Sequence, residues 1–93
     1  MRWTAIWMPV AQQQLALVWI AALDRNGVTH ASNAIDELLA VDPDTVGDLV
    51  FDTVRVLIVA PLGVEFEIDV DDLQVRILSV WDASAGRPDP IGN

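Results

Sequence analysis

Few residues in this chain could carry chemistry. It holds one histidine, His30, and five arginines, with no cysteine, lysine or tyrosine. A disulfide scaffold and thiolate metal sites are therefore excluded, and a zinc centre would have to be built mostly from carboxylates, an unusual set for zinc. What the chain has in quantity is acid, 14 Asp and Glu in all. Glu65, Glu67, Asp69 and Asp71 alternate with Val64, Phe66, Ile68 and Val70. A period of two predicts a strand with one buried and one wet face, and the wet face here is a row of carboxylates. Asp69, Asp71 and Asp72 supply enough oxygen to suggest calcium, but a hairpin lacks the loop length and the bidentate Glu of an EF-hand. No metal and no cofactor is assigned.

The acids outweigh the arginines to a formal net charge of −9. Such a chain repels phosphate backbones and anionic membrane surfaces, because nucleic-acid affinity comes largely from Lys and Arg contacts to phosphates. The imbalance is also local: from Asp36 to Asp72 there are eleven acids and one arginine, Arg55. The plain alternative is that these acids keep a small hydrophobic domain soluble. The lack of cysteine fits a reducing cytosol.

Residues 15–23 (LALVWIAAL) are apolar throughout, and the mean hydropathy is +0.38. The run is too short to span a bilayer, which takes about 20 residues. Gln12 to Gln14 and Pro9 precede it with only Arg2 as a basic residue upstream, so it does not read as a signal peptide either. A helix that is apolar all round is buried on several sides or covered by a partner.

These residues are positioned by a short series of elements in one domain, residues 1–82, followed by a flexible tail, residues 83–93, rich in Gly and Pro. Residues 2–8 (RWTAIWM) carry Trp3, Ala5 and Trp7 on one parity and predict a strand. Pro9 suits a first helical position, and a helix over residues 9–24 follows. Asp24 to Gly27 reads as a turn, with Gly27 free to take a positive φ. A second helix is predicted over residues 28–39, with Ala31, Ala34, Ile35, Leu38 and Leu39 on its inner side, and so short a connection makes the two an antiparallel hairpin. Residues 41–52, with Pro43, Gly47 and four acids, read as a loop. Residues 54–60 (VRVLIVA) predict a central strand covered on both faces, or on one face plus a partner. Pro61 and Gly63 mark the turn into the carboxylate-bearing strand, and residues 73–81 form the last strand.

The order is β-α-α-β-β-β, an α+β domain with the helical hairpin on one face of a small, mostly antiparallel sheet. If the last hairpin turns within residues 70–73, Glu67 falls opposite Arg76 as an ordinary cross-strand ion pair. His30, near the start of the second helix, reads as a solvated side chain. Trp3, Trp7, Trp19 and Trp81 read as core or interface anchors, since base-stacking aromatics come interleaved with basic residues.

Several stretches in this order carry a resemblance. They are the opening strand ending in Met8-Pro9-Val10-Ala11, the helical pattern Leu15, Trp19, Ala22, and Ala34-Ile35-Asp36-Glu37-Leu38-Leu39 followed by Asp42-Pro43. Arg55-Val56-Leu57, Pro61-Leu62-Gly63-Val64-Glu65-Phe66 and Val75-Arg76-Ile77-Leu78-Ser79-Val80 complete them. Over residues 2–81 the chain resembles the RelE/ParE superfamily of toxins from type II toxin–antitoxin systems, which includes proteins described as plasmid stabilisation proteins. The resemblance implies a bacterial cytoplasmic toxin with a cognate antitoxin, commonly a helix plus a strand wrapped around it.

In the mRNA-cleaving branch, the resemblance implies basic residues on the open sheet face that stabilise the extra negative charge of the transition state. Arg55 and Arg76 are the candidates for catalysis under that reading, which requires them close together on one face. The late position where cleaving members carry a His or a basic residue is approached here by Trp81-Asp82, and the acid–base pair has no candidates. In the ParE branch, the resemblance implies inhibition of a protein target such as DNA gyrase, which needs no catalytic residues and suits an acidic chain. Leu15, Trp19, Ile20, Leu23 and Arg55 are then the candidate antitoxin- or target-binding residues. Direct contact with nucleic acid or membrane is not expected; a homodimer is a further possible assembly. A non-toxic interaction domain with the same fold is the third reading.

Overall fold

The chain begins with β1 (Thr4–Trp7) and turns at Met8 into α1 (Pro9–Ala21), with proline at the helix start where its missing N–H leaves no bond unmade. The computed structural model describes residues 2–84. After α1 come α2 (Arg25–Val41), β2 (Asp48–Phe51), β3 (Val54–Val59), β4 (Leu62–Asp69) and β5 (Gln74–Asp82). The strands form one sheet in the order β1-β5-β4-β3-β2, parallel only between β1 and β5. Two helices on one face of a mostly antiparallel sheet make the expected α+β fold. Residues 85–93, and with them most of the expected tail, lie outside the described residues.

Gly27 departs from expectation. It lies inside the first turn of α2, not in a turn before it, because Asp24 caps the helix by accepting a 3.0 Å bond from Gly27 N–H. A Cβ at Gly27 would come within 2.6 Å of that carboxylate, so the glycine makes room for the cap. α1 ends three residues earlier than predicted. Arg25 donates to the carbonyls of Trp19 (3.2 Å) and Ile20 (3.0 Å), satisfying two of the acceptors a helix end leaves bare.

The second departure is β2, where the sequence predicts a loop. Gly47 with φ +77° leads into it, and Asp52 with φ +50° turns it back into β3. β3 therefore lies one strand in from an edge, with only one of its faces against the helices.

The core lies between that face and the hairpin. Val28, Ala31, Ile35 and Leu39 of α2 and Ala11 of α1 meet Leu62, Val64, Phe66, Val75, Ile77 and Val80 of β4 and β5, all buried. Along α2 the steps are three, four and four residues, the stripe an amphipathic helix buries. Ala34 is only half-buried and Leu38 is exposed, so the inner side is rotated from the one predicted. β5 carries a bulge, since Phe66 pairs with Ile77 but Glu65 pairs with Ser79. Past Trp7, β5 has no β1 neighbour. There Gln14 of α1 accepts a 2.8 Å bond from Val80 N–H and takes the place of a strand.

Candidate functional site

A groove of about 450 Å³ runs between α1 and α2. Trp7, Leu15, Trp19 and Ile20 form its apolar wall, and Ser32, Asn33 and Asp36 of α2 face them. Three side-chain contacts hold it open. The Trp7 indole N–H donates to Asp36 Oδ1 at 3.0 Å, tying the end of β1 to the middle of α2. Gln12 donates to the Trp7 carbonyl at 2.8 Å. Arg25 lies 4.8 Å above the Trp19 ring while it caps α1, which fixes the indole at one end of the groove by a cation–π contact.

α1 contains no ionisable side chain and buries only Ala11 completely. Val10, Leu17 and Ile20 are more than half exposed along its outer side, and Trp19 is 42% exposed. In a chain of net charge −9, the outward side of this helix is uncharged and largely apolar, with Gln12 and Gln13 as its exposed polar residues.

The structure brings Leu15, Trp19 and Ile20 together in the groove. It leaves Leu23 outside, fully exposed in the connection to α2, where it lines a separate hollow together with Val28 and Asp82. Leu15 also packs on the core. Arg55 is far from the groove, half-buried, with Nη1 3.4 Å from the Asp44 carbonyl in the loop after α2.

Register decides the faces of the sheet. Arg55 pairs with Phe66, whose ring is in the core, so Arg55 lies on the helix-covered face. Arg76 pairs with Glu67, so it lies on the open face. The two arginines are on opposite faces of the sheet and are not brought together. Arg76 is also engaged, since its Nη2 donates to Asp69 Oδ2 at 2.6 Å. That bond, and the Asp72 N–H donating to the same carboxylate, hold the Asp69 carboxyl below the usual carboxylate range. The expected partner, Glu67, sits opposite Arg76 but accepts from Thr53 Oγ1 at 3.3 Å instead.

Of the four tryptophans, Trp3 and Trp7 pack half-buried on the core, Trp19 lines the groove and Trp81 is buried on the open face against Gly63. His30 is exposed on α2. Sequence reasoning named Trp7 only as a core or interface anchor, and missed Gln12 and the α2 wall at Ser32, Asn33 and Asp36. Their spacing carries no mark of a site, because the groove exists only once the hairpin folds over β1.

No protein-family model matches the sequence, and no curated protein matches it. The fold is shared. A chain of the toxin–antitoxin complex RelBE2 from Mycobacterium tuberculosis superposes with a TM-score of 0.76 at 16% identity, over 90% of this chain and 94% of that one. A chain of the chromosomal ParDE TA system from P. aeruginosa superposes with a TM-score of 0.66 at 16% identity, over 86% of this chain and 95% of that one. Both are RelE/ParE-type toxin folds, and this chain has that fold.

Proposed function

We propose that this chain is the toxin-type member of a type II toxin–antitoxin pair, that it acts in the bacterial cytoplasm by binding a protein, and that a cognate antitoxin restrains it by covering the α1–α2 groove. The observation that carries this reading is the groove itself: Trp19 and Ile20 exposed beside half-buried Leu15 in one apolar surface, on a fold shared with chains of two toxin–antitoxin systems. An apolar groove of this kind suits the apolar face of a partner helix, whose side chains would fill it and remove the surface from water.

Protein binding is favoured over RNA cleavage by two further observations. Arg55 and Arg76 lie on opposite faces, so these two cations do not converge on one phosphate to stabilise its pentavalent state. The open face instead presents Glu65, Glu67 and Asp69, which repel a phosphate backbone. Within protein binding, a target such as DNA gyrase follows the ParE-like branch.

The test is induction of this chain alone in a bacterial culture, with growth, transcript cleavage and DNA supercoiling followed in the same samples. Growth arrest with altered supercoiling and intact transcripts is expected. Cut transcripts would replace the reading with an endonuclease, and normal growth with folded protein would leave a non-toxic interaction domain.

A further inference from the structure

We propose that two copies of this chain pair through the outer side of α1. The helices run antiparallel about a two-fold axis level with Leu15, and Val10, Gln13, Leu17 and Ile20 of each cover those of the other. The inference concerns the chain itself and does not rest on the toxin reading.

Among the described residues all four side chains are exposed, Val10 by 58%, Leu17 by 66% and Ile20 by 60%. Steps of three, four and three residues trace the seam along which paired helices meet. At about 100° per residue, the middle of this stripe lies roughly 160° round the helix from Leu15 and Trp19, which line the groove toward α2. Ile20 stands on the crest between and belongs to both surfaces. The outer side of a surface helix ordinarily carries charge, whereas α1 has no ionisable residue and presents large apolar side chains there.

Spacing and charge together select a second copy as the occupant. The steps read the same in both directions, so an antiparallel copy matches them: Val10 of one helix stands level with Ile20 of the other, and Gln13 with Leu17. An isologous interface requires this kind of self-matching. At net charge −9 two copies repel each other in most orientations, and α1 brings no acid to the contact. The antiparallel arrangement also keeps Asp24 and Asp82, which line the hollow beside Ala21, at opposite ends of the pair. A parallel arrangement would set them side by side.

Other occupants suit the stripe less well. It offers no cation to a phosphate backbone or an anionic bilayer, and no charge with which to choose a charged partner segment. The contact is small, however. The 13 residues of α1 make a helix about 20 Å long, so the pair falls well below the standard interface of roughly 1,600 Å². Association is therefore weak and concentration-dependent, and Gln13, the polar residue of the seam, weakens it further.

Sedimentation equilibrium of the full chain between about 1 μM and 1 mM tests the inference. The weight-average mass is expected to rise from 10.2 kDa towards twice that value. Leu17→Glu should weaken association at least about tenfold. Leu49→Glu adds the same charge at a residue of similar exposure on β2, 59%, and should leave association within about twofold. Gln13→Leu should tighten the dimer at least about threefold without larger species, a gain that loss of folding cannot produce. Circular dichroism establishes that each variant folds.

The chain has no cysteine, so cross-linking can read the register. Val10→Cys chains mixed with Ile20→Cys chains should join by a disulfide under mild oxidation. Val10→Cys alone should not, because its two thiols would stand about 15 Å apart along the helix axis. A mass that stays at 10.2 kDa throughout would overturn the proposal. So would equal losses in Leu17→Glu and Leu49→Glu, an unchanged dimer in Gln13→Leu, or Val10→Cys joining itself as fast as it joins Ile20→Cys. Leu17 does not line the groove, so a monomeric Leu17→Glu that an antitoxin still neutralises would separate this contact from the groove reading.

Discussion

The guanidinium of Arg76 reaches diagonally along the sheet to Asp69, 2.6 Å away, and ties β5 to β4 at the turn end of the hairpin. Asp69 also accepts from Asp72 N–H at 3.2 Å, so one carboxylate joins the strand pair to its own turn. Both side chains are largely covered, which gives the contact better geometry than a loose surface pair.

Asp69 is the carboxyl whose titration should report this contact. Its folded-state pKa is depressed, first by the Arg76 bond and then by the Asp72 N–H. The stabilisation is therefore complete above the carboxyl's unfolded pKa and is lost as pH falls through the lower folded value. A carboxyl-detected NMR titration should place Asp69 below the ordinary aspartate range. In Arg76→Gln it should move back up, and an unchanged titration there would assign the depression to the turn amides.

Gly63 and Trp81 face each other on the open side of the sheet. A Cβ at Gly63 would lie 2.5 Å from the Trp81 ring, and that ring is 6% exposed. Gly63→Ala must move the indole or part β4 from β5. It should cost about 1–3 kcal/mol, as overpacking does. The checks are the urea midpoint and the near-ultraviolet circular dichroism of tryptophan, and wild-type values for both would mean that the ring swings aside freely.

Gln14 anchors α1 to the part of β5 that β1 does not reach. Its carbonyl oxygen receives the Val80 N–H, and Val80 is 3% exposed, so water cannot readily replace the bond. Gln14→Ala should destabilise the fold by about 1–3 kcal/mol, the cost of a buried donor left unpaired. Gln14→Glu keeps an acceptor and should recover most of it. Amide hydrogen exchange at Val80 should quicken in the alanine variant more than elsewhere in β5.

Local pattern carried much of this fold. The alternation from Val64 to Asp69 predicts both the strand and its wet face, and Pro9 predicts the start of α1. β2 was hidden because Pro43, Gly47 and four acids speak for a loop, while Leu49-Val50-Phe51 becomes a strand only by pairing with β3. The faces of Arg55 and Arg76 were equally hidden. Each is fixed by a cross-strand partner, Phe66 for one and Glu67 for the other, and by which side the helices cover. The candidate site was legible in one wall only. Leu15, Trp19 and Ile20 repeat at helical spacing, but Asp36 enters the groove through a bond to Trp7, 29 residues earlier.

The groove reading turns on Ile20. Its side chain is 60% exposed, so Ile20→Glu should leave stability within about 0.5 kcal/mol, the usual range for a surface change. The same change puts a charge where an apolar partner face would lie, and should weaken antitoxin binding at least about tenfold. Leu23→Glu is the matched control, because Leu23 is exposed but outside the groove. Leu15 would not serve, since it also packs on the core and its loss would confuse folding with binding. Co-expression with the cognate antitoxin measures the outcome as recovery of growth. Ile20→Glu should escape neutralisation while Leu23→Glu remains neutralised. Equal neutralisation of both would move the antitoxin to another surface.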